Sequence, residues 1–529
     1  MKIINKSIIL TSVFALAGLT SCNDFLDTTP DNRATVDSEE KVIALLGSAY
    51  STNDHVLISE LYSDNVDNYG VQFTNTSRFY DSIYAWSELE ESNNESTERI
   101  WGSYYSAIAA ANQAIIAIND LGGPETSTAL GQAYGEAYLC RAYSHFVLVN
   151  VFCLQYNKST SQTDLGIPYM TKSETTLNPQ YERGNVADVY KQIEEDLEIG
   201  LKYIGDDNYD VPKYHFNKLA AHAFAARFYL YYEKYDKVIE NADKCLGSAP
   251  ATMLRDYHIL ATMPNGTPQQ HPTTLHYIDP SVNANLLLFT AYSALGTVFG
   301  GYSTCNMYAH GSYIAQTEDC QAAQPWGAAN YKDAPSVYSG SLNKVMFWRV
   351  PYIFQYTDPV AGIGYSRSVY PALSTDECLL NRAEAYVHLG DYNKACEDLN
   401  LWAVNCCKAP TTMTPESIKA FYDGIDYWEW NKGTVKKHIN PMFGPVEERS
   451  TEESMYQCII AAKRIESLSL GQRWYDVKRF GIEIHRRSMD MTGNPEKLTD
   501  SMLLDDPRRA MQLPVRVISS GMQPNPRNK

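Results

Sequence analysis

Basic residues are scarce in this chain: 44 lysines and arginines stand against 62 aspartates and glutamates, a net charge of −18. A surface of that sign repels phosphate backbones and anionic headgroups, which argues against nucleic acid and anionic lipid as partners. Long apolar runs are also missing. The longest candidate, residues 8–19, is too short to cross a bilayer as a stable helix. Disulfide-framework spacing is absent as well. Several of the ten cysteines after Cys22 fall on helix stripes (Cys140, Cys245, Cys378, Cys396), as small buried apolar residues do. The adjacent Cys406 and Cys407 do not have metal-ligand spacing.

Catalytic signatures are missing too. There is no His-Glu-x-x-His, no Gly-x-Ser-x-Gly and no Walker sequence, and the 11 histidines form no cluster. Gly362-Ile363-Gly364 begins a dinucleotide-like pattern, but Arg367 stands at the third glycine and the run leads into Pro371 rather than a helix. A glycosidase needs two carboxylates facing each other across a cleft, and nothing singles out such a pair among so many acids. No catalytic set is singled out, and neither a cofactor nor a metal site is expected.

The N-terminus carries a strong signal. Lys2 and Lys6 precede the apolar run, which ends at Leu19-Thr20-Ser21-Cys22. That is the spacing of a bacterial lipoprotein leader (1–21), with Cys22 as the acylated first residue of the mature chain. Each buried CH₂ of the acyl chains contributes roughly 0.8 kcal/mol, enough in multiple to hold a soluble domain on a membrane. No later segment looks membrane-spanning, so Cys22 is the only expected anchor.

Residues 376–402 organise the rest. Leu379, Leu380, Ala383, Tyr386 and Val387 make one helical stripe; Tyr392, Ala395, Cys396 and Leu399 make a second, with Gly390 and Asp391 at the turn. One such hairpin cannot bury its face alone, so it implies neighbours. Residues 216–246 supply one. With Ala226 laid on Ala383, Tyr229 meets Tyr386, Tyr235 meets Tyr392 and Lys237 meets Lys394. Glu233 falls on Gly390, so that helix end requires a different solution.

Further helices are expected at 38–50, 100–121, 130–151, 185–204, 455–470 and 473–487. Residues 57–95 read as an aromatic, amide-rich loop, and residues 249–373 lose helical period while keeping Gly, Pro, Tyr, Thr and Asn. The tail from 514 reads as non-helical. The fold expected is mainly α: a single domain over 22–529 with a tetratricopeptide-like helix-pair scaffold (about 34–248 and 374–490) and a long irregular insertion (about 249–373).

The chain resembles the SusD/RagB family, surface lipoproteins of Bacteroidetes that work with SusC-type TonB-dependent transporters. The resemblance is carried by the start around Cys22-Asn23-Asp24-Phe25-Leu26-Asp27 and by Trp101, Tyr105 and Asn112. It continues through Arg141-Ala142-Tyr143, Ile167-Pro168-Tyr169, Arg183 to Tyr190, and above all Gly471-Gln472-Arg473-Trp474-Tyr475-Asp476-Val477-Lys478-Arg479-Phe480. Lys463 and Leu470 stand where glutamates are common. The 473–479 run reads as structural, with Trp474 in the core and Arg473 and Asp476 serving helix ends. The resemblance implies a cell-surface, outer-membrane lipoprotein that captures oligosaccharide and delivers it to a SusC-like transporter. Peptide is the alternative ligand, and a surface glycosidase the remote one.

Sugars present C–H faces ringed by hydroxyls, so capture needs aromatic platforms edged by polar groups. The two aromatic stretches provide the candidates: Trp86, Tyr302, Tyr308, Trp326, Tyr331 and Trp348 as platforms, with Asn65, Asp67, Asn306 and Arg349 as polar partners.

Overall fold

The computed structural model describes residues 36–70, 73, 77–89, 93–172, 180–268, 270–328, 330–339 and 342–527. The expected leader and Cys22 lie outside the described residues. Among the described residues no helix is long and apolar enough to cross a membrane.

Capping residues set most helix starts. The first helices are α1 (Glu39–Leu46), α2 (Val56–Tyr62), α3 (Arg78–Tyr84), α4 (Thr97–Asp120), α5 (Thr128–Phe152) and α6 (Val186–Tyr203). Ser38, Ser77, Ser96, Ser127 and Asn185 each accept a backbone N–H from the first turn of α1, α3, α4, α5 and α6 respectively. Helix α5 is buried on nearly all sides between α4 and α6, as a central helix must be. Arg141 on α5 reaches Asp196 on α6 with two bonds of 2.7 and 2.6 Å and Asn112 on α4 with one of 2.8 Å. Tyr169 donates to the same carboxylate at 2.5 Å.

Two helix pairs follow the expected repeat: α7 (Lys218–Tyr231) with α8 (Tyr235–Leu246), and α9 (Thr375–His388) with α10 (Tyr392–Cys406). Helix α9 packs on both α7 and α8, so the pairs are true neighbours. Their turns are closer in geometry than the sequence implied. Gly390 takes φ 76°, and Glu233 takes φ 57° at the equivalent position. The helix end thus has the same left-handed solution in both units, with a glutamate bearing the strain in one. Glu233 pairs with Lys158 at 3.1 Å.

The insertion contains a sheet. Strands β1 (Asn285–Tyr292), β2 (Ile353–Asp358) and β3 (Ile363–Ser374) are antiparallel in the order β1-β3-β2. Residues 285–289 are buried on both faces, so β1 shows no alternation to read. Strand β3 runs straight into α9, whose first turn is capped by Ser374.

Helices α11 (Thr451–Glu466) and α12 (Arg473–Arg479) are followed by the hairpin β4 (Ile484–Met489) and β5 (Pro495–Met502). The expected helix at 473–487 therefore stops early. Gly481 takes φ 57°, with Asn440 O where a Cβ would sit, and turns the chain into a strand. The 57–95 segment carries α2 and α3 rather than one loop, and a short helix, Val515–Ser519, follows Pro514 in the tail. Strand β4 also pairs with the two-residue strand Asp67–Asn68, which pairs in turn with Tyr308–Ala309. Three distant parts of the chain therefore meet in one sheet.

Position 390 offers a clean test of the shared turn. Open space surrounds a Cβ built there, so Gly390→Ala should cost only backbone strain, about 1 kcal/mol in urea unfolding. Glu233→Gly should gain a similar amount, less whatever the Lys158 pair contributes.

Candidate functional site

Most of the expected ligand residues are already engaged in packing. Trp86 is buried, donates from Nε1 to Tyr62 O at 3.0 Å, and has the guanidinium groups of Arg486 and Arg508 over its ring at 4.4 and 5.2 Å. Trp326 is buried edge-on against Trp402 at 5.0 Å. Tyr331 packs against Phe347, and Tyr308 stacks on Tyr84 while donating to Asp81 at 2.6 Å. Arg349 is buried, giving its Nη1 to the carbonyls of Ile465 and Glu466, both at 2.6 Å. Asn306 bonds to Val298 O and Asn343. These side chains hold the insertion to the scaffold. Alternation and aromatic content could not separate them from platforms, because the same residue types serve both purposes.

Asn65 and Asp67 belong to a buried charge network. Asp64 takes two bonds from Arg473 at 2.7 and 2.8 Å, and Asp67 takes two from Arg487 at 2.8 and 3.1 Å. Glu318, in the insertion, faces Arg487 at 2.7 Å, Lys437 at 2.8 Å and Arg464 at 3.5 Å. Asn65 Oδ1 accepts from Arg464 Nε at 2.8 Å. Burial opposes ionisation of Glu318 and Asp64. The surrounding cations win, and both carboxyls are held below their usual range. Arg473 thus serves a carboxylate 409 residues away in the chain rather than a helix end. Trp474 is in the core as expected, edge-on to Tyr62 at 4.8 Å. Lys463, in the place of a more usual glutamate, pairs with Glu384, as does Arg479.

The same region contains a group with metal-ligand chemistry. His310, Asp319 and Cys320 are buried, with ligand atoms within 4.8 Å of one another. His310 Nε2 already faces Asp319 Oδ2 at 2.9 Å, and Nδ1 lies 2.9 Å from Asn65 O. Burial works against charge on the imidazole, but Asp319 raises its pKa. Arg464 Nε lies 3.7 Å from that carboxylate. This is the pattern of a histidine–carboxylate pair inside the network.

Exposed aromatic surface gathers elsewhere on the insertion. Tyr302 is 47% exposed and stacks on Tyr352 at 4.0 Å with planes 13° apart. Strand alternation places Phe354 and Tyr356 on one side of β2, and Tyr352 immediately precedes the strand. Phe354 meets Tyr356 at 4.9 Å, and Tyr356 is 57% exposed. Gly364 on β3 makes room for Phe354, since a Cβ there would lie 2.8 Å from its ring. Half-buried Trp348 stacks on His271 at 3.8 Å, donates to Ser336 Oγ at 2.9 Å, and lies flat on Gly301, next to Tyr302. Of the ten sequence candidates, Tyr302 and Trp348 are therefore the two with ring surface available. The sequence reading missed Tyr352, Phe354 and Tyr356; their i, i+2 spacing before a Gly-containing partner strand is the signal that could have found them.

The other face of the sheet carries Tyr292, Tyr365 and Arg367. Tyr365 meets Tyr292 at 5.5 Å, and the Arg367 guanidinium lies over Tyr292 at 4.2 Å.

The helix-pair scaffold with its sheet-bearing insertion is similar to known proteins over most of its length. Residues 24–230 match a family model described as SusD-like, "starch-binding associating with outer membrane". A SusD-like protein P38 from Formosa agariphila is 30% identical over 147 residues, which are 27% of this chain and 25% of that protein's length. Among solved structures, a SusD superfamily protein from Bacteroides thetaiotaomicron matches with TM-score 0.61 at 17% identity, covering 93% of this chain and all of that one. A putative sugar binding protein from Bacteroides vulgatus matches with TM-score 0.60 at 16% identity, covering 92% of this chain and 97% of that one. The chain thus shares the fold of SusD superfamily structures, and its residues 24–230 match the SusD-like family model.

Glu318 provides the test of the network. Glu318→Gln leaves Arg487 with Asp67 alone and Lys437 with Asp64 at 3.6 Å, and should cost about 3 kcal/mol of unfolding free energy at neutral pH. Because the folded-state pKa of Glu318 is depressed, its contribution is complete above the unfolded value and fades as pH falls through the acid range. The penalty of the variant should therefore shrink toward about pH 3, measured by denaturant titration.

Proposed function

We propose that this protein is a cell-surface nutrient-binding lipoprotein that captures oligosaccharide and passes it to a SusC-like TonB-dependent transporter in the outer membrane. The observation that carries the reading is the pair of exposed rings Tyr302 and Tyr356, backed by half-buried Tyr352 and Phe354, on a SusD-like scaffold. Flat rings stack on the C–H faces of pyranose rings, and an extended row of them suits a chain of sugars better than a single one. Stacking pins Tyr302 against Tyr352, so little rotamer freedom remains to be lost on binding. The family description and the sugar-binding relative support a carbohydrate. Neutral glycan is favoured over polyanionic glycan by the net charge of −18. Lipid attachment at Cys22 accounts for a membrane location with no spanning helix among the described residues. The assignment involves no catalysis: capture and release need rigid helices and a shaped surface, not a proton-transfer pair.

Peptide is the second reading. Arg367, beside the exposed Tyr365, gives the opposite face a guanidinium fork suited to a carboxylate.

Calorimetry of the purified protein against neutral oligosaccharides and short peptides separates the two readings. Tyr302→Ala and Tyr356→Ala should each weaken glycan binding about ten-fold, roughly 1.4 kcal/mol, with melting temperature unchanged. Trp326→Ala should instead lower stability by about 3–5 kcal/mol and leave the affinity of the folded fraction intact. Glycan affinity indifferent to Tyr302 and Tyr356, or peptide binding that needs Arg367, would overturn the glycan reading.

A further inference from the structure

Beneath the tyrosine row lies a buried lysine with no carboxylate. The Lys344 side chain is buried, and its Nζ donates to three backbone carbonyls: Val298 at 2.7 Å, Gly300 at 2.5 Å and Ser303 at 2.9 Å. Those three residues span the turn that ends the short helix Leu295–Val298 and delivers Tyr302 to the surface. Three acceptors match the three protons of an ammonium. A neutral amine has only two protons to donate and would turn its lone pair toward the third carbonyl.

The neighbours of Lys344 brace the same turn. Asn343 donates to Asn306 O at 2.8 Å and its own N–H bonds to Thr304 O at 3.2 Å; Asn306 Nδ2 reaches Val298 O at 2.9 Å. Gly300 and Gly301 leave no side chain to fix the turn from within, since a Cβ at either would collide with Val350 O or the Trp348 ring. The conformation of 298–303 is thus imposed from below, and Lys344 supplies the largest share of the bonds that impose it.

We propose that Lys344 is a positioning residue for the ligand platform: its ammonium clasps the 298–303 turn, holds Tyr302 in its stack on Tyr352, and lets go on deprotonation, so that ligand affinity declines as pH rises. The inference rests on the glycan-capture reading for its ligand, but its structural half stands apart from it. Burial alone pulls the Lys344 pKa down to about 7, and no charged neighbour contributes to the shift. The titratable groups on the adjoining segments are Tyr302, Cys305, His310 and Tyr338. Tyr302 faces Tyr352, and His310 is turned to Asp319 and Asn65 O. A charged amine with so few ionic neighbours can lose its proton without collapsing an ion-pair network, which makes it suited to adjustment rather than to bulk stability.

The experiment combines two readouts on the purified protein. Hydrogen exchange of the 298–304 amides, compared at one pH without ligand, should show wild type and Lys344→Arg protected and Lys344→Met exchanging at least about ten-fold faster. Calorimetry with maltoheptaose and cellohexaose as probes should give a wild-type Kd that rises about ten-fold between pH 6 and pH 8, as the competent fraction falls. Lys344→Arg, which keeps its charge, should bind with a flat pH profile, and Lys344→Met should bind weakly at every pH. Unchanged protection in Lys344→Met, or a wild-type pH profile that survives in Lys344→Arg, overturns the proposal. Should Lys344→Met fail to fold, the wild-type profile set against Lys344→Arg still decides. If neither glucan binds wild type, the failure belongs to the choice of ligand, and the exchange measurement alone rules on Lys344.

Discussion

Opposite charges buried together at the junction of three sequence-distant segments dominate the architecture. Asp64 and Asp67 come from the turn after α2, Glu318 and Asp319 from the insertion, and Arg464, Arg473 and Arg487 from the C-terminal third. None of these groups could sit in the interior alone, because an unpaired charge there costs several kcal/mol. Each therefore demands that the other segments be in place. That mutual demand fixes where the insertion leaves the helical scaffold, and so where its sheet and its exposed rings stand.

The helical part of this arrangement was legible in advance because helices announce themselves locally. The stripes of α6, α9 and α10 and the offset pairing of Tyr229 with Tyr386 follow from a 3.6-residue period, and the neighbouring hairpins pack as that pairing requires. What stayed hidden was non-local or two-sided. Strand β1 is buried on both faces, so Leu286 to Phe289 show no alternation. The strand Asp67–Asn68 exists only through partners at Ser488 and at Tyr308 to Ala309. Glu233 adopts a glycine-like φ that no propensity scale assigns to it.

The site was less legible than the fold, for a related reason. A tryptophan that packs an insertion against its scaffold and one that meets a sugar are drawn from the same composition. Trp326 sits in the core on Trp402, whereas Tyr302, four positions after Val298, stands on the surface within a turn whose carbonyls Lys344 binds. Exposure here is a property of the turn's supports and not of the residue. The aromatics at 354 and 356 gain their common side from β2, whose existence depends on β3.

Strand β3 passes into α9 with no intervening loop, only the capping Ser374. The sheet and the helix pairs therefore share one continuous rigid lever, pivoted where extended backbone becomes helix. A push on the rings at the outer end of that lever is delivered to the flank of α8 and α11, on which α9 rests. Contact at the rim is thus transmitted mechanically to the opposite end of the scaffold rather than absorbed by a flexible joint.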